Sequence, residues 1–240
     1  MTRCIIPILV LFLTPIIGTI AVGQQETPNS PLLPALERAV QDISKKLDRT
    51  PAERKETLRG IAEYIAEKAR AGEKAKLTFI CTHNSRRSHM SQIWAQAFAH
   101  RAGFGHVETF SGGTEATVFN PRAVKALRDI GFSIPAPEES GNPHYSVQYA
   151  ESAPAVEAFS KKYSDEFNPQ EGFLAVMTCS DADEACPVVF GAEARISIPY
   201  EDPKKYDGTD REERAYAERS MQIAAEMYYV LSEARKLAGE

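Results

Sequence analysis

A short apolar run that breaks into a polar loop and then into a helical pattern constrains this chain more than any other feature. Residues 77–80 (Leu-Thr-Phe-Ile) have the length and the side chains of a buried strand. After the loop at residues 81–88, apolar side chains recur at helical spacing, at Met90, Ile93, Trp94, Ala97 and Phe98. The loop therefore joins the carboxyl end of a strand to the amino end of a helix. Unpaired backbone N–H groups and the helix dipole favour an anion at such a place.

The residue types in this loop predict a nucleophile inside an oxyanion-binding cradle. Arg87 stands six residues after Cys81, so a turn around one small anion brings the guanidinium and the thiol to the same ligand. The planar fork of arginine donates two parallel hydrogen bonds to an oxyanion, and its positive field favours the attacking thiolate. Ser88 is expected to donate to that thiolate, and Asn84 tolerates the unusual backbone angles of a tight nest. The other loop residues predicted to surround the anion are Thr82, His83, Ser85 and Arg86.

A simpler interpretation competes with the cradle. Taken alone, Cys81 is a buried cysteine at a strand end, and Arg86 and Arg87 are solvated surface side chains. The combination of a strand, Cys-x5-Arg-Ser and a helix favours the cradle. Of the two arginines, Arg87 occupies the sixth position after the cysteine and is the predicted main ligand of the anion.

The loop resembles the phosphate-binding loop of the low-molecular-weight protein tyrosine phosphatase superfamily. It is similar in particular to that of the thioredoxin-coupled arsenate reductase branch, which usually reads Cys-Thr-x-Asn-Ser-x-Arg-Ser. The resemblance extends over about residues 76–237, and its motifs are specific in combination. It implies the fold of that superfamily and a small oxyanion, arsenate or a phosphate-like group, as the ligand.

The composition bounds the size of the core and the class of partner. With 240 residues, of which 43% are hydrophobic and 25% charged, the chain is globular and long enough for one well-buried α/β core plus an extension. Its 28 basic and 33 acidic residues give a net charge of −5. An acidic balance of this kind argues against a general nucleic-acid binder.

Residues 1–23 have the pattern of an export signal. Arg3 supplies the positive start, an apolar run follows, and small residues stand before a cleavage site after Gly23. This predicts an exported, periplasmic protein with no stable membrane span after cleavage. An uncleaved membrane anchor is the alternative, because the apolar run is close to the lower length of a membrane span, about 18 residues.

Residues 24–75 are predicted to be a linker and a helical hairpin ahead of a catalytic domain at residues 76–240. Residues 50–53 (Thr-Pro-Ala-Glu) form a capping-box sequence that is expected to start the second helix, with Pro51 at its first position. The resemblance does not cover the hairpin. The first helix is predicted from apolar residues that alternate spacings of three and four: Leu33, Leu36, Val40, Ile43 and Leu47.

Further strands and helices alternate along the catalytic segment. Strands are predicted at residues 107–111, 173–177 and 195–198, and helices from Asn120 to Gly131 and from Thr209 onwards. Such alternation predicts a four-stranded, doubly wound parallel sheet with flanking helices. Ligands of these sheets sit at the carboxyl ends of the strands. Four loops are therefore expected to meet in one pocket, those at Cys81, Gly112, Cys179 and Asp202.

Residues 132–171 are rich in proline, glycine, serine and charge, and are longer than the corresponding segment of compact arsenate reductases. A helix is predicted from Pro154 to Tyr163. The segment fits a lid or a docking surface, and it fits a neutral surface insertion equally well.

Two more cysteines separate a reductase from a plain phosphatase. Cys179 and Cys186 flank an acidic stretch that ends in Pro187, and with Cys81 they leave an odd number of thiols after signal cleavage. A continuous helix would hold their Cα atoms about 10 Å apart, whereas a disulfide requires about 4.4 to 6.8 Å. Oxidation therefore requires this segment to unwind. A permanent disulfide formed after export is one alternative, and a zinc site is a poorer one because no second cysteine pair is nearby.

The resemblance implies a three-cysteine relay. Cys81 attacks arsenate held by Arg87 and the loop amides, and Asp202 protonates the departing oxygen. Cys179 then attacks Cys81, arsenite leaves, and Cys186 moves the disulfide outward to a thioredoxin-like reductant. The relay needs no cofactor and no metal. Gln92 stands where some arsenate reductases place a potassium-binding glutamate, so that ion is not expected here.

Two other functions remain open. A low-molecular-weight tyrosine phosphatase would share Cys81, Arg87 and Asp202 and hydrolyse a phosphoester through a cysteinyl-phosphate. Lys204 follows Pro203 where such phosphatases often carry an aromatic residue, which favours a small inorganic anion. The third possibility is a non-enzymatic, exported protein that binds oxyanions or senses redox state.

Overall fold

The computed structural model describes residue 1 and residues 31–46, 50–137 and 141–239. The strands of these ranges are β1 (Ala75–Cys81), β2 (Val107–Gly113), β3 (Tyr145–Val147), β4 (Val156–Ala158), β5 (Phe173–Met177) and β6 (Ala192–Ser197). The helices are α1 (Pro34–Lys46), α2 (Ala52–Ala71), α3 (Arg87–Arg101), α4 (Pro121–Ile130), α5 (Ser180–Ala185) and α6 (Glu212–Ala238).

The predicted doubly wound sheet is present. Four strands lie in the order β2–β1–β5–β6, and every neighbouring pair is parallel. All five residues of β5 and six of the seven residues of β1 are buried, as expected for central strands covered on both faces. Because all four strands run the same way, the loops that follow them meet at one edge of the sheet.

The two predicted N-terminal helices are present and belong to the main core. Both α1 and α2 pack against α6, and α1 also contacts α4. Leu36, Ile43 and Ile61 are fully buried in the same cluster as Trp94. The predicted capping box is wrong, because α2 begins at Ala52 with Pro51 as its N-cap and no side chain caps it. The predicted export signal lies outside the described residues, except for Met1.

The predicted helix from Pro154 to Tyr163 is also wrong. Its centre is strand β4, which pairs antiparallel with β3. Val156 and Ala158 are buried while Glu157 is exposed, so burial alternates with the two-residue period of a strand. Beyond β4, Lys162 forms a single parallel bridge with Gly113 at the edge of the main sheet.

Helix α6 begins at Glu212, three residues after the predicted start. The Thr209 hydroxyl accepts a hydrogen bond from the Arg211 amide, and the Glu212 carboxylate accepts one from the Gly208 amide. The predicted cap therefore closes the turn that precedes the helix. Within the described ranges, no helix is both long enough and apolar enough to cross a membrane.

Candidate active site

The loop at residues 81–88 adopts a tight nest centred on Asn84. Asn84 has φ 43°, which makes it the one residue other than glycine with a positive φ in the described part of the chain. Its side chain holds this conformation by donating to the Ser88 hydroxyl over 2.9 Å and accepting from the Lys161 amide over 2.9 Å. The predicted role of Asn84 in shaping the loop agrees with this geometry.

Cys81 lies at the base of the nest. Its Sγ is 3.1 Å from the Ser88 Oγ, and the residue is 3% exposed. A hydroxyl at this distance stabilises a thiolate by hydrogen bonding. Helix α3 begins at Arg87, so the amino end of the helix faces the same region and favours negative charge there.

Asp202 pairs with both loop arginines. Its Oδ1 is 2.9 Å from Arg86 Nε, and its Oδ2 is 2.9 Å from Arg87 Nη2. The second terminal nitrogen of Arg87 donates to the Tyr200 carbonyl over 2.9 Å. Burial alone would raise the pKa of Asp202, but Arg87, the Lys204 amide and Arg86 together hold that pKa below its ordinary value. Asp202 is thus ionised and acts as the counterion of the cradle.

The loop after β2 lies beside the cradle, as predicted. Thr114 and Glu115 donate their amides to the carbonyls of Cys81 and Thr82 over 3.1 and 2.8 Å. A Cβ on Gly113 would lie 2.2 Å from the Glu115 carbonyl oxygen and 2.6 Å from that of Thr82. Only glycine allows this approach. In the sequence, the signal was the glycine pair directly after the strand predicted at residues 107–111. The steric need for glycine became visible only in the structure, where β2 extends to Gly113.

Residues 159–163 support the cradle from outside. The Ser160 hydroxyl donates to the His83 carbonyl over 3.0 Å, and the Lys161 amide is the one that holds Asn84. The Lys161 carbonyl accepts from the Gly113 amide over 2.9 Å. This part of the insertion braces the loop, a role that the sequence did not reveal. Burial lowers the pKa of Lys161 to about 8.

Cys179 lies close to the cradle and Cys186 lies farther out. Cys179 Sγ is 3.5 Å from Thr82 Oγ1, next to Cys81 in the chain, and both cysteines are buried in one apolar cluster. Cys186 is partly exposed at the other end of α5. All three thiols are unpaired. The helix α5 lies between Cys179 and Cys186, and a helix of this span implies a Cα separation of about 10 Å, longer than a disulfide requires.

Arg195 holds the carboxyl end of α5. Its Nε donates to the Cys186 carbonyl over 3.2 Å, its Nη2 donates to the Asp183 carbonyl over 2.6 Å, and it forms an ion pair with the Asp183 carboxylate. The sequence reasoning did not identify this residue, since only the pairing of β6 with β5 brings it here. Beyond Cys186, the side chains of Val188 and Phe190 are 64% and 82% exposed.

The arrangement therefore brings together the residues that the sequence selected, except Cys186, which lies at the far end of α5. Arg86, Arg87 and Asp202 are in direct contact. Cys81, Ser88 and Thr82 connect the nest to Cys179. His83 and Ser85 contribute backbone carbonyls to the supporting network, which accept from Ser160 and from the Asn120 amide. In the described part of the chain, no group of three or more His, Cys, Asp or Glu side chains is placed to hold a metal ion.

Comparison with known proteins gives one family match. Residues 76–146 match the model of the family described as low molecular weight phosphotyrosine protein phosphatase. The chain is 30% identical over 149 residues to an arsenate reductase of Bacillus licheniformis, which covers 61% of this chain and 86% of that protein. It is 30% identical over 141 residues to an arsenate reductase of Bacillus subtilis, covering 59% and 83%.

The solved structures that the chain matches include a low molecular weight protein tyrosine phosphatase from T. tengcongensis, with a TM-score of 0.45 and 16% identity. That match covers 66% of this chain and 99% of the other. An arsenate reductase from Archaeoglobus fulgidus matches with a TM-score of 0.38 and 19% identity, covering 68% and 99%.

Proposed function

The chain belongs to the arsenate reductase branch of the low-molecular-weight protein tyrosine phosphatase superfamily, and we propose that it reduces arsenate to arsenite by a three-cysteine relay. The observation that carries the proposal is that the three thiols lie at increasing distance from the base of the cradle. Cys81 lies at the base of the cradle, Cys179 contacts the next loop residue, and Cys186 stands one short helix farther out, partly exposed. A phosphatase needs the first thiol alone.

In the first step the Cys81 thiolate attacks the arsenic of an arsenate bound by Arg87 and the loop amides. A sulfur–arsenic bond forms and one oxygen leaves as water, with its proton supplied by Asp202. In the second step the Cys179 thiolate attacks the Cys81 sulfur. The sulfur–arsenic bond breaks, its electron pair stays on arsenic, and arsenite is released. The two sulfurs are thereby oxidised to a disulfide.

In the third step the Cys186 thiolate attacks Cys179 and releases the Cys81 thiolate. This step needs α5 to unwind, because the helix keeps the two sulfurs apart. A dithiol reductant of the thioredoxin class then attacks the Cys179–Cys186 disulfide. The disulfide is reduced to two thiols, and the reductant is itself oxidised to a disulfide. The partial exposure of Cys186 and the exposed apolar side chains of Val188 and Phe190 support access by such a protein. If residues 1–23 direct export as proposed, this reductant acts outside the cytosol.

The acid role of Asp202 requires a change in its pKa during the reaction. Its pKa is lowered while it pairs with Arg87 and Arg86. A bound oxyanion competes for the same guanidinium groups and adds a negative charge beside the carboxylate. Both effects, together with burial, raise the pKa of Asp202 and favour the protonated form that donates to the leaving oxygen.

The assay uses the full chain with arsenate, thioredoxin, its reductase and NADPH, and measures arsenite. Replacing Cys81, Cys179 or Cys186 with serine should in each case abolish multiple turnover, because each thiol is the nucleophile of one step. Glu184→Gln, an exposed change on α5, is the matched control and should retain activity. Sustained arsenite formation by the Cys179→Ser and Cys186→Ser variants would contradict the relay.

Hydrolysis of a phosphoester is the second candidate. The family match supports it, and Tyr206 is the aromatic residue on the short 3-10 helix Pro203–Tyr206 directly after Asp202. Its ring contacts Lys205 and Arg211, so a substrate ring would have to displace one of these cations to pack against it. An aryl phosphate therefore serves as the parallel substrate. Phosphate release that survives loss of both Cys179 and Cys186, without arsenite formation by the wild type, would favour the phosphatase.

A further inference from the structure

Helix α2 lies outside the family-matched residues 76–146, yet one of its side chains reaches the segment that carries Asp202. Arg54 Nε donates to both carboxylate oxygens of Glu226 over 3.1 and 3.2 Å, and Arg54 Nη2 donates to Glu226 over 2.8 Å. The same Nη2 donates to the Ile198 carbonyl over 3.2 Å. Arg54 thus ties α2 to α6 and to the chain that leaves β6.

Glu226 depends on these contacts because it is 3% exposed. Its second partner is the Tyr200 hydroxyl, which donates to it over 2.7 Å. The Arg54 guanidinium also lies 5.0 Å from the centroid of the Tyr200 ring. Burial and the neighbouring Glu226 raise the pKa of Tyr200. The Tyr200 hydroxyl therefore stays protonated and remains the donor of this hydrogen bond.

Tyr200 carries this network to the anion site. Its carbonyl accepts from Arg87 over 2.9 Å, and Asp202, two residues later, binds Arg87 and Arg86. The position of Arg87 therefore depends on residues 198–202, and that segment is held at Ile198 and Tyr200 by Arg54 and Glu226. Arg54 is thus linked to Arg87 by hydrogen bonds, by ion pairs and by the backbone of residues 198–202.

We propose that Arg54 is a positioning residue for the oxyanion site, so that helix α2 forms part of the working site and is more than a spacer. This rests on the proposed function, because it concerns the same cradle. Loss of Arg54 leaves the Glu226 carboxylate buried without its cation, an unfavourable state that is relieved by protonation or by movement. Either response alters the hydrogen bond to Tyr200. Loss of the bond to the Ile198 carbonyl separately releases residues 198–202, so the carbonyl that orients Arg87 shifts even where the Glu226 charge is removed.

The test measures the dissociation constant of inorganic phosphate by calorimetry, with the full, reduced chain at a temperature well below unfolding. Phosphate probes the cradle without redox chemistry. Arg54→Met should weaken phosphate binding about 10-fold, the scale of coupling carried by a packed network. Arg54→Lys, which keeps the charge and loses the forked donor, should bind with intermediate affinity.

Lys68→Met is the matched control. It removes a cation from the same helix, where Lys68 pairs with Glu73 and Glu193 away from Tyr200, and should leave phosphate affinity unchanged. The double change Arg54→Met with Glu226→Gln removes the unpaired buried charge and so tests whether lost stability alone explains the effect. It should fold normally and still bind phosphate weakly, because the bond to Ile198 is absent.

Wild-type affinity in Arg54→Met, or full recovery of affinity in the double variant, would overturn the positioning role while leaving the proposed reductase intact. Absence of phosphate binding by the wild type would instead contradict the oxyanion cradle itself, and the positioning role with it. An equal loss of affinity in Lys68→Met would show that any weakening of α2 suffices, which also overturns the proposal.

Discussion

At the scale of single residues, the charge balance of the cradle is the most informative feature. Two guanidinium groups face one carboxylate, that of Asp202, whose side chain is 27% exposed. An oxyanion bound as proposed must share or replace this counterion, so the residue proposed as the acid is also expected to compete with binding. Because the pKa of Asp202 is lower in the folded state than its ordinary value of 3.8, ionised Asp202 stabilises the fold at pH values above 3.8. This stabilisation is lost as the pH falls through the lowered pKa.

Asp202→Asn should therefore separate binding from turnover. Removal of the competing charge should tighten phosphate binding by about 10-fold, whereas loss of the acid should slow arsenate reduction by about 100-fold or more. Calorimetry with phosphate and the arsenite assay measure the two effects. Glu201→Gln, the adjacent carboxylate that pairs with Lys205 and Arg219, is the control and should change neither. Weaker phosphate binding in Asp202→Asn would show that Asp202 does not compete with the anion.

At the scale of elements, the short helix α5 keeps the outer cysteines apart. Its six residues, Ser180–Ala185, form too short a helix to be stable in isolation. Arg195 stabilises its carboxyl end through the carbonyls of Asp183 and Cys186. The proposed relay requires this helix to open, so we expect Arg195 to control the fraction of molecules in which it is open.

Arg195→Gln should speed formation of the disulfide between Cys179 and Cys186. Loss of about 1 to 2 kcal/mol of hydrogen bonding corresponds to about 10-fold more of the open form. The rate is followed in a Cys81→Ser background by mass spectrometry of trapped thiols in a glutathione redox buffer. Glu184→Gln, on the same helix, should oxidise at the parental rate. An unchanged rate in Arg195→Gln would mean that opening of the carboxyl end does not limit the exchange.

At the scale of the whole molecule, the N-terminal helices share one core with the sheet. The buried cluster includes Leu36 of α1 and Ile61 of α2 together with Phe79 of β1 and Trp94 of α3. A shared core predicts that these helices unfold together with the sheet. If they do, the boundary predicted at residue 75 marks where the family match begins and does not separate two folding units.

Ile61→Ala should lower the free energy of unfolding by about 2 to 5 kcal/mol, since it leaves a cavity at a fully buried position. Urea denaturation is followed by circular dichroism and by the fluorescence of Trp94, the single tryptophan. The two transitions should coincide in the wild type and in the variant. Glu56→Ala, an exposed change on α2, should shift stability by about 0.5 kcal/mol or less. Helix loss before any change at Trp94 would contradict a single cooperative unit.

Local patterns in the sequence were sufficient for much of the architecture. The four main strands and the loop between β1 and α3 were predictable because each depends on residues close together in the chain. Errors fell where the local signal was ambiguous. The segment from Pro154 to Tyr163 was predicted as a helix although its burial alternates as in a strand, and residues 50–53 did not form the predicted cap.

The sequence by itself selected the residues that are proposed to carry the chemistry and predicted which end of the sheet gathers them, because periodicity and motif spacing are local properties. Only the tertiary structure decided how those residues are held. The bonds from Arg54 to Glu226, from Ser160 to His83 and from Arg195 to Cys186 join elements that no short pattern links. Such contacts form when the elements pack together. Packing is driven by hydrophobic burial, which is non-directional, so the sequence pattern that predicts burial does not predict which polar side chains will pair.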